Sequence, residues 1–102
     1  MKLFISQPMR NKTDEQIKAE RRRAYYWMEA HYPIMDGEEI EIIESFIEGA
    51  PTQANPLWYL GESIKMLSEA DVVYFCKDWE RYDGCTIEHE CAVRYGKECV
   101  YA

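Results

Sequence analysis

Four short apolar runs, at residues 3–5, 40–43, 72–76 and 99–101, alternate with three segments whose apolar residues recur at helical spacing. A chain that reads strand, helix, strand, helix, strand, helix, strand, with short connections, has few ways to fold. Crossovers through a helix are right-handed, so the product is a parallel sheet covered by helices on both faces. The predicted fold class is α/β: a flavodoxin-like or Rossmann-like three-layer sandwich of about four parallel strands in the order 2-1-3-4, with three main helices. At 102 residues the chain makes one domain, 1–102, and its 47% of apolar residues suffices for a packed core.

The helices announce themselves at their ends. Thr13-Asp14-Glu15-Gln16 has the capping-box pattern. Ile17, Ala24 and Met28 then mark an apolar stripe that runs to about His31, before Pro33 and Asp36-Gly37. Asn55-Pro56 pairs a capping asparagine with proline at the first helical position. Leu57, Leu60, Ile64 and Leu67 follow at the spacing of one buried face. Phe46 stands at the end of the second strand, and residues 48–54, with Gly49, Pro51 and Thr52, read as a loop. The last helix is expected from about Cys85 to Tyr95.

Charge and cysteine usage remove several functions. A formal charge of −7 disfavours a generic binder of nucleic acid polymer, which needs basic stripes. The one basic cluster, Arg21-Arg22-Arg23, lies among acids on a helix and reads as a solvated face. No apolar run approaches the roughly 20 residues that span a bilayer. The opening stretch is also too short for a signal peptide, so a cytoplasmic protein with no membrane partner is expected. Cys76, Cys85, Cys91 and Cys99 form no Cys-x-x-Cys pair and are expected to be reduced. Cys85, His89 and Cys91 lack a fourth ligand and zinc-like spacing, so neither metal nor cofactor is expected.

Open α/β sheets bind ligands outside the carboxyl ends of their strands. Here those ends gather residues 6–10, 46–54 and 77–88. The stretch Asp83-Gly84-Cys85-Thr86-Ile87-Glu88-His89-Glu90 reads as a loop that tightens at Gly84 and opens a helix carrying two carboxylates near its N-terminus. The helix dipole there favours ionised carboxylates. Arg94 follows Glu90 by four residues, which makes Glu90 half of a surface pair. Glu88 has two readings, as a complement to the dipole or as a site carboxylate. Asp83 either caps the helix or lines the site; Arg10 is either solvated or a phosphate clamp; Trp79 either stacks a base or packs an interface.

Phe4-Ile5-Ser6-Gln7-Pro8-Met9, Ala70-Asp71-Val72-Val73 and Gly84…Glu88…Ala92…Gly96-Lys97 together resemble the nucleoside 2-deoxyribosyltransferase-like superfamily. Asn55-Pro56-Leu57-Trp58-Tyr59-Leu60 and Ile87-Glu88-His89-Glu90-Cys91-Ala92 resemble a small phage and bacterial branch of it, akin to the domain of unknown function DUF4406. The resemblance implies that Glu88, eight residues before Gly96, is the catalytic nucleophile. It would attack the anomeric carbon of a 2′-deoxynucleoside or nucleotide, and the sugar would pass to another base or to water. Ser6, Gln7, Pro8, Met9, Arg10, Ser63, Trp79, Asp83 and Gly84 are the candidate substrate-binding residues.

Ser63 stands where the transferases carry a second carboxylate for the leaving base. That departure leaves an alternative, a non-catalytic module that binds or sequesters a nucleotide-derived ligand. Either way the expected partner is a nucleoside or nucleotide. A homo-oligomer is also expected. Tyr25, Tyr26, Trp27, Trp58 and Tyr59 are more aromatic residues than so small a core accommodates, and the resemblance implies pockets completed across subunits.

Overall fold

Period-two alternation in the two central strands decides the layering. The computed structural model describes residues 1–45 and 54–102. β1 (Lys2–Ser6) and β3 (Val72–Phe75) lie side by side and parallel, with Leu3 opposite Val72 and Ser6 opposite Phe75. β2 (Glu41–Ile42) flanks β1 and β4 (Glu98–Tyr101) flanks β3, both parallel, giving the expected order β2-β1-β3-β4. Leu3, Ile5, Val72, Tyr74 and Cys76 face α1 (Asp14–His31) and pack with its Ala24 and Met28. Phe4, Val73 and Phe75 face the other way, onto Leu67 of α2 (Pro56–Leu67) and Ala92 of α3 (Asp83–Arg94). Strands covered on both faces need near-continuous apolar runs, which residues 3–5 and 72–76 supply.

The ends of the helices follow from their sequences. The Thr13 hydroxyl accepts from the Gln16 amide at 3.1 Å, and the Gln16 side chain accepts from the Thr13 amide at 2.8 Å. Asn55 caps α2 by accepting from the Trp58 amide at 2.9 Å. Gly96 takes the left-handed conformation (φ 73°) that a Schellman ending requires. Its N–H bonds to the Val93 carbonyl, and that of Lys97 to the Ala92 carbonyl. The Lys97 ammonium then donates to the carbonyls of Ser68 and Ala70, fastening the end of α3 to the chain leaving α2.

Four sequence expectations change. Arg21 is not solvated: it is 7% exposed, while Arg22 and Arg23 are exposed. It follows Ile17 by four residues and precedes Ala24 by three, so it occupies the buried stripe itself. Leu57 is 75% exposed rather than part of the buried face of α2, because the first turn of that helix overhangs a cavity. α3 begins at Asp83, two residues earlier than expected, after a 3-10 turn at Trp79–Arg81. Gly84 therefore sits in the first helical turn and does not tighten a loop. The expected strand end at Phe46 and most of the expected loop at 48–54 lie outside the described residues. Among the described residues no helix is long and apolar enough to cross a membrane.

Met28 is fully buried between α1 and the sheet. Met28→Ala is expected to destabilise the fold by about 2–5 kcal/mol, measured as the shift in urea unfolding free energy.

Candidate functional site

At the end of β1, two consecutive residues reach in opposite directions. Ser6 points to the α2/α3 side, and its hydroxyl donates to Glu88 Oε1 at 2.8 Å. Gln7 points to the α1 side. Its amide nitrogen donates to the Ile17 carbonyl at 3.2 Å and to Glu20 at 3.0 Å. Its amide oxygen accepts from Arg21 Nη1 at 3.1 Å. Arg21 also donates to Ser45 Oγ at 3.1 Å and to the Ile43 carbonyl at 3.0 Å, tying the exit of β2 to the exit of β1. α1 and α3 thus each carry one charged residue on the buried stripe: Arg21 between Ile17 and Ala24, and Glu88 between Cys85 and Ala92.

A cavity of about 980 Å³ opens beside these groups, within the range of small-molecule sites. Phe4, Ile5, Gln7, Pro8, Met9 and Arg10 line it from β1 and the following loop, with Asp14 from the start of α1 and Ser45 from the exit of β2. Pro56, Leu57, Tyr59, Leu60 and Ser63 line it from α2; Tyr82, Asp83, Gly84, Cys85, Ile87 and Glu88 do so from α3 and its approach. A smaller recess of about 320 Å³ shares Arg10, Tyr82 and Asp83 and adds Asp78 and Arg81.

Burial governs the electrostatics. Glu88 is 7% exposed, and burial pushes its carboxyl up to about 7, against the opposing pull of the Ser6 hydrogen bond. The expectation of a dipole-stabilised carboxylate is corrected by position. Glu88 is the sixth residue of α3, beyond the turn where the dipole acts, so desolvation wins. Near neutrality the group is a mixture of carboxyl and carboxylate. Burial lowers the pKa of the Arg21 guanidinium, and the Glu44 carboxylate offsets part of this. Burial also raises the Cys85 thiol to about 11, so the cysteine on the cavity wall is not a thiolate nucleophile at neutral pH.

Of the residues singled out in the sequence, Glu88, Gln7, Pro8, Met9, Arg10, Ser63, Asp83 and Gly84 come together on the cavity wall. The Gln7 amide is already engaged on all sides with α1, which makes it wall rather than a free hydrogen-bonding group. Ser6 lies behind Glu88 instead of on the wall. Asp83 is the first residue of α3, and the capping position belongs to Tyr82, which makes no side-chain cap. Trp79 does not line the cavity; its ring packs against Phe75, His89 and Tyr101. Glu62 pairs with Lys65 at 3.1 Å, and Glu90 pairs with Arg94 as expected.

Asp14, Ser45, Tyr59, Tyr82 and Cys85 line the cavity and Arg81 the recess beside it without having been read as site residues, and Arg21, read as solvated, supports the wall through Gln7 and Ser45. Only Arg21 had a readable signal, its register on the stripe of α1. Among the described residues no cluster of three His, Cys, Asp or Glu side chains is disposed to hold a metal ion.

In the unfolded chain the Glu88 carboxyl returns to its ordinary value of 4.5. From there up to about pH 7 the folded protein holds a proton that the unfolded chain has released. The stabilising contribution of the neutral group is complete below pH 4.5 and is lost as pH rises through about 7. The loss amounts to about 3 kcal/mol. In urea titrations, Glu88→Gln is therefore expected to be roughly as stable as the parent at pH 5 and about 2–3 kcal/mol more stable at pH 8. An equal gap at both pH values would count against a neutral buried Glu88.

No curated protein and no solved structure matches the chain. A family model described as a domain of unknown function, DUF4406, matches residues 1–101, and the chain belongs to that family.

Proposed function

We propose that the protein acts on the N-glycosidic bond of a 2′-deoxynucleoside or nucleotide, as a deoxyribosyltransferase or an N-hydrolase, with Glu88 as nucleophile. The observation that carries this reading is the buried Glu88 carboxylate on the wall of a ligand-sized cavity, held in place by Ser6. Supporting it are the sequence motifs that resemble nucleoside 2-deoxyribosyltransferases.

The ionised form of Glu88 attacks C1′, and the glycosidic electron pair leaves with the base nitrogen. An ester between Glu88 and the sugar results. A second base or a water molecule then attacks C1′ and frees the carboxylate. A carboxylate destabilised by burial gains most when a cationic sugar develops beside it. The departing base needs a proton. Ser63 cannot supply one as a carboxylic acid would, so the departing base nitrogen takes its proton from water entering the open cavity, whose wall Asp83 and Asp14 share.

A second reading is a non-catalytic module that binds a nucleotide-derived ligand. The specific feature behind it is Ser63 on the cavity wall in place of an acid. In that role a protonated Glu88 donates a hydrogen bond to the ligand.

The two readings part on incubation with mixed 2′-deoxynucleosides and their 5′-monophosphates, with free or exchanged base detected by chromatography. The enzymatic reading expects turnover that falls at least about a thousandfold in Glu88→Ala. It also expects kcat/KM to rise with pH through about 7, as Glu88 ionises. Ligand binding that survives Glu88→Ala, with no turnover in either protein, leaves only the binding module.

Self-association belongs to the same proposal. Tyr26 (64% exposed), Trp27 (39%) and Tyr59 (40%) keep much of their ring surface uncovered, and Tyr59 stands at the cavity mouth. Light scattering is expected to give at least a dimer; a monomer would overturn the expectation.

A further inference from the structure

Arg21 fixes the direction of every hydrogen bond it makes, because a guanidinium only donates. The oxygen of the Gln7 amide must therefore face Arg21, and its two N–H bonds must serve Ile17 and Glu20, as they do. The same logic fixes Ser45. Its Oγ accepts from Arg21 Nη1, so its own proton has to go elsewhere. Ser45 is 5% exposed, and among the described residues its hydroxyl donates to no acceptor, yet the residue lines the cavity.

From this arrangement we infer that Ser45 donates its hydroxyl proton to an acceptor oxygen or nitrogen on the bound ligand, and that Arg21 is the residue that positions it to do so. The guanidinium polarises the hydroxyl it donates to, which strengthens the O–H as a donor. It also binds the Ile43 carbonyl, so the chain leaving β2 is held where Ser45 meets the cavity. Lysine would keep the charge but lacks the planar fork that reaches Gln7, Ser45 and Ile43 at once. The acceptor is a base or sugar atom if a nucleoside suffices, and a phosphate oxygen if the phosphate is needed.

This inference rests on the nucleoside or nucleotide reading of the cavity, and the test separates the two. Equilibrium binding of the four 2′-deoxynucleosides and their 5′-monophosphates is measured in the Glu88→Gln background, where no covalent step intervenes. Ser45→Ala is expected to weaken the best-bound member about tenfold and also to lower the melting temperature, because it leaves one N–H of the buried Arg21 without an acceptor. Arg21→Lys is expected to weaken it similarly, and the double variant to lose little more than either alone. A loss for monophosphates only assigns the contact to phosphate; a loss for nucleosides too assigns it to base or sugar.

Binding that Ser45→Ala leaves unchanged, or losses that simply multiply in the double variant, overturn the inference and leave the nucleotide reading standing. Absence of binding by every member of the panel overturns both. Should Arg21→Lys fail to fold, Ser45→Thr, which keeps the hydroxyl, decides against Ser45→Ala: equal affinities overturn the inference.

Discussion

The pleat of one strand controls the site. Side chains on β1 alternate between the two faces of the sheet, and the alternation continues one residue past its end. Ser6 is thereby given to the α3 side and Gln7 to the α1 side. Each meets a charged residue buried on the facing helix, Glu88 in one case and Arg21 in the other. Neither charge would be tolerated in the core without those partners, since a buried ionisable group needs hydrogen bonds to offset desolvation. Among the described residues no buried side-chain nitrogen or oxygen lacks a partner. The layered apolar core and the polar site are therefore two outcomes of one period-two rule.

The two buried charges are not equivalent. Arg21 stays positive, since a guanidinium does not deprotonate in proteins, and so it can hold three acceptors permanently. Among the described residues Glu88 has a single side-chain hydrogen-bond partner, and burial brings its carboxyl up to about 7. One side of β1 is thus a fixed scaffold and the other a responsive group. The cavity lies where the two meet, with apolar walls from α2 and a mixture of carboxylates and arginines at its rim.

The architecture was legible because runs such as 72–76 admit only a doubly covered strand, and the capping signals at Thr13 and Asn55 admit only helix starts. Much of the cavity lining was legible too, since strand ends are where such sheets gather polar residues. What escaped was side-chain register. Arg21 was obscured by its neighbours Arg22 and Arg23, which are exposed as a charge run suggests. Trp79 fell in the right segment, but the 3-10 turn directs it to Phe75 and His89. The protonation of Glu88 escaped because it depends first on burial, which local sequence does not show, and then on its distance from the start of α3. A helix beginning two residues earlier puts Glu88 past the first turn, and local sequence does not set that boundary sharply.

The sequence separations of these hydrogen bonds divide the site into a local half and a long-range half. Gln7 and Arg21 are 14 residues apart, and Arg21 and Ser45 are 24 apart, so the scaffold half of the site lies within the first 45 residues. Ser6 and Glu88 are 82 apart, and β3, the inner neighbour of β1, arrives only at residue 72. The guanidinium clamp thus closes short loops, whereas the Ser6–Glu88 contact needs nearly the whole chain in place. The carboxylate is drawn out of water only when α3 docks. The titrating half of the pocket thus depends on the complete domain, while its clamped half is drawn from the first 45 residues alone.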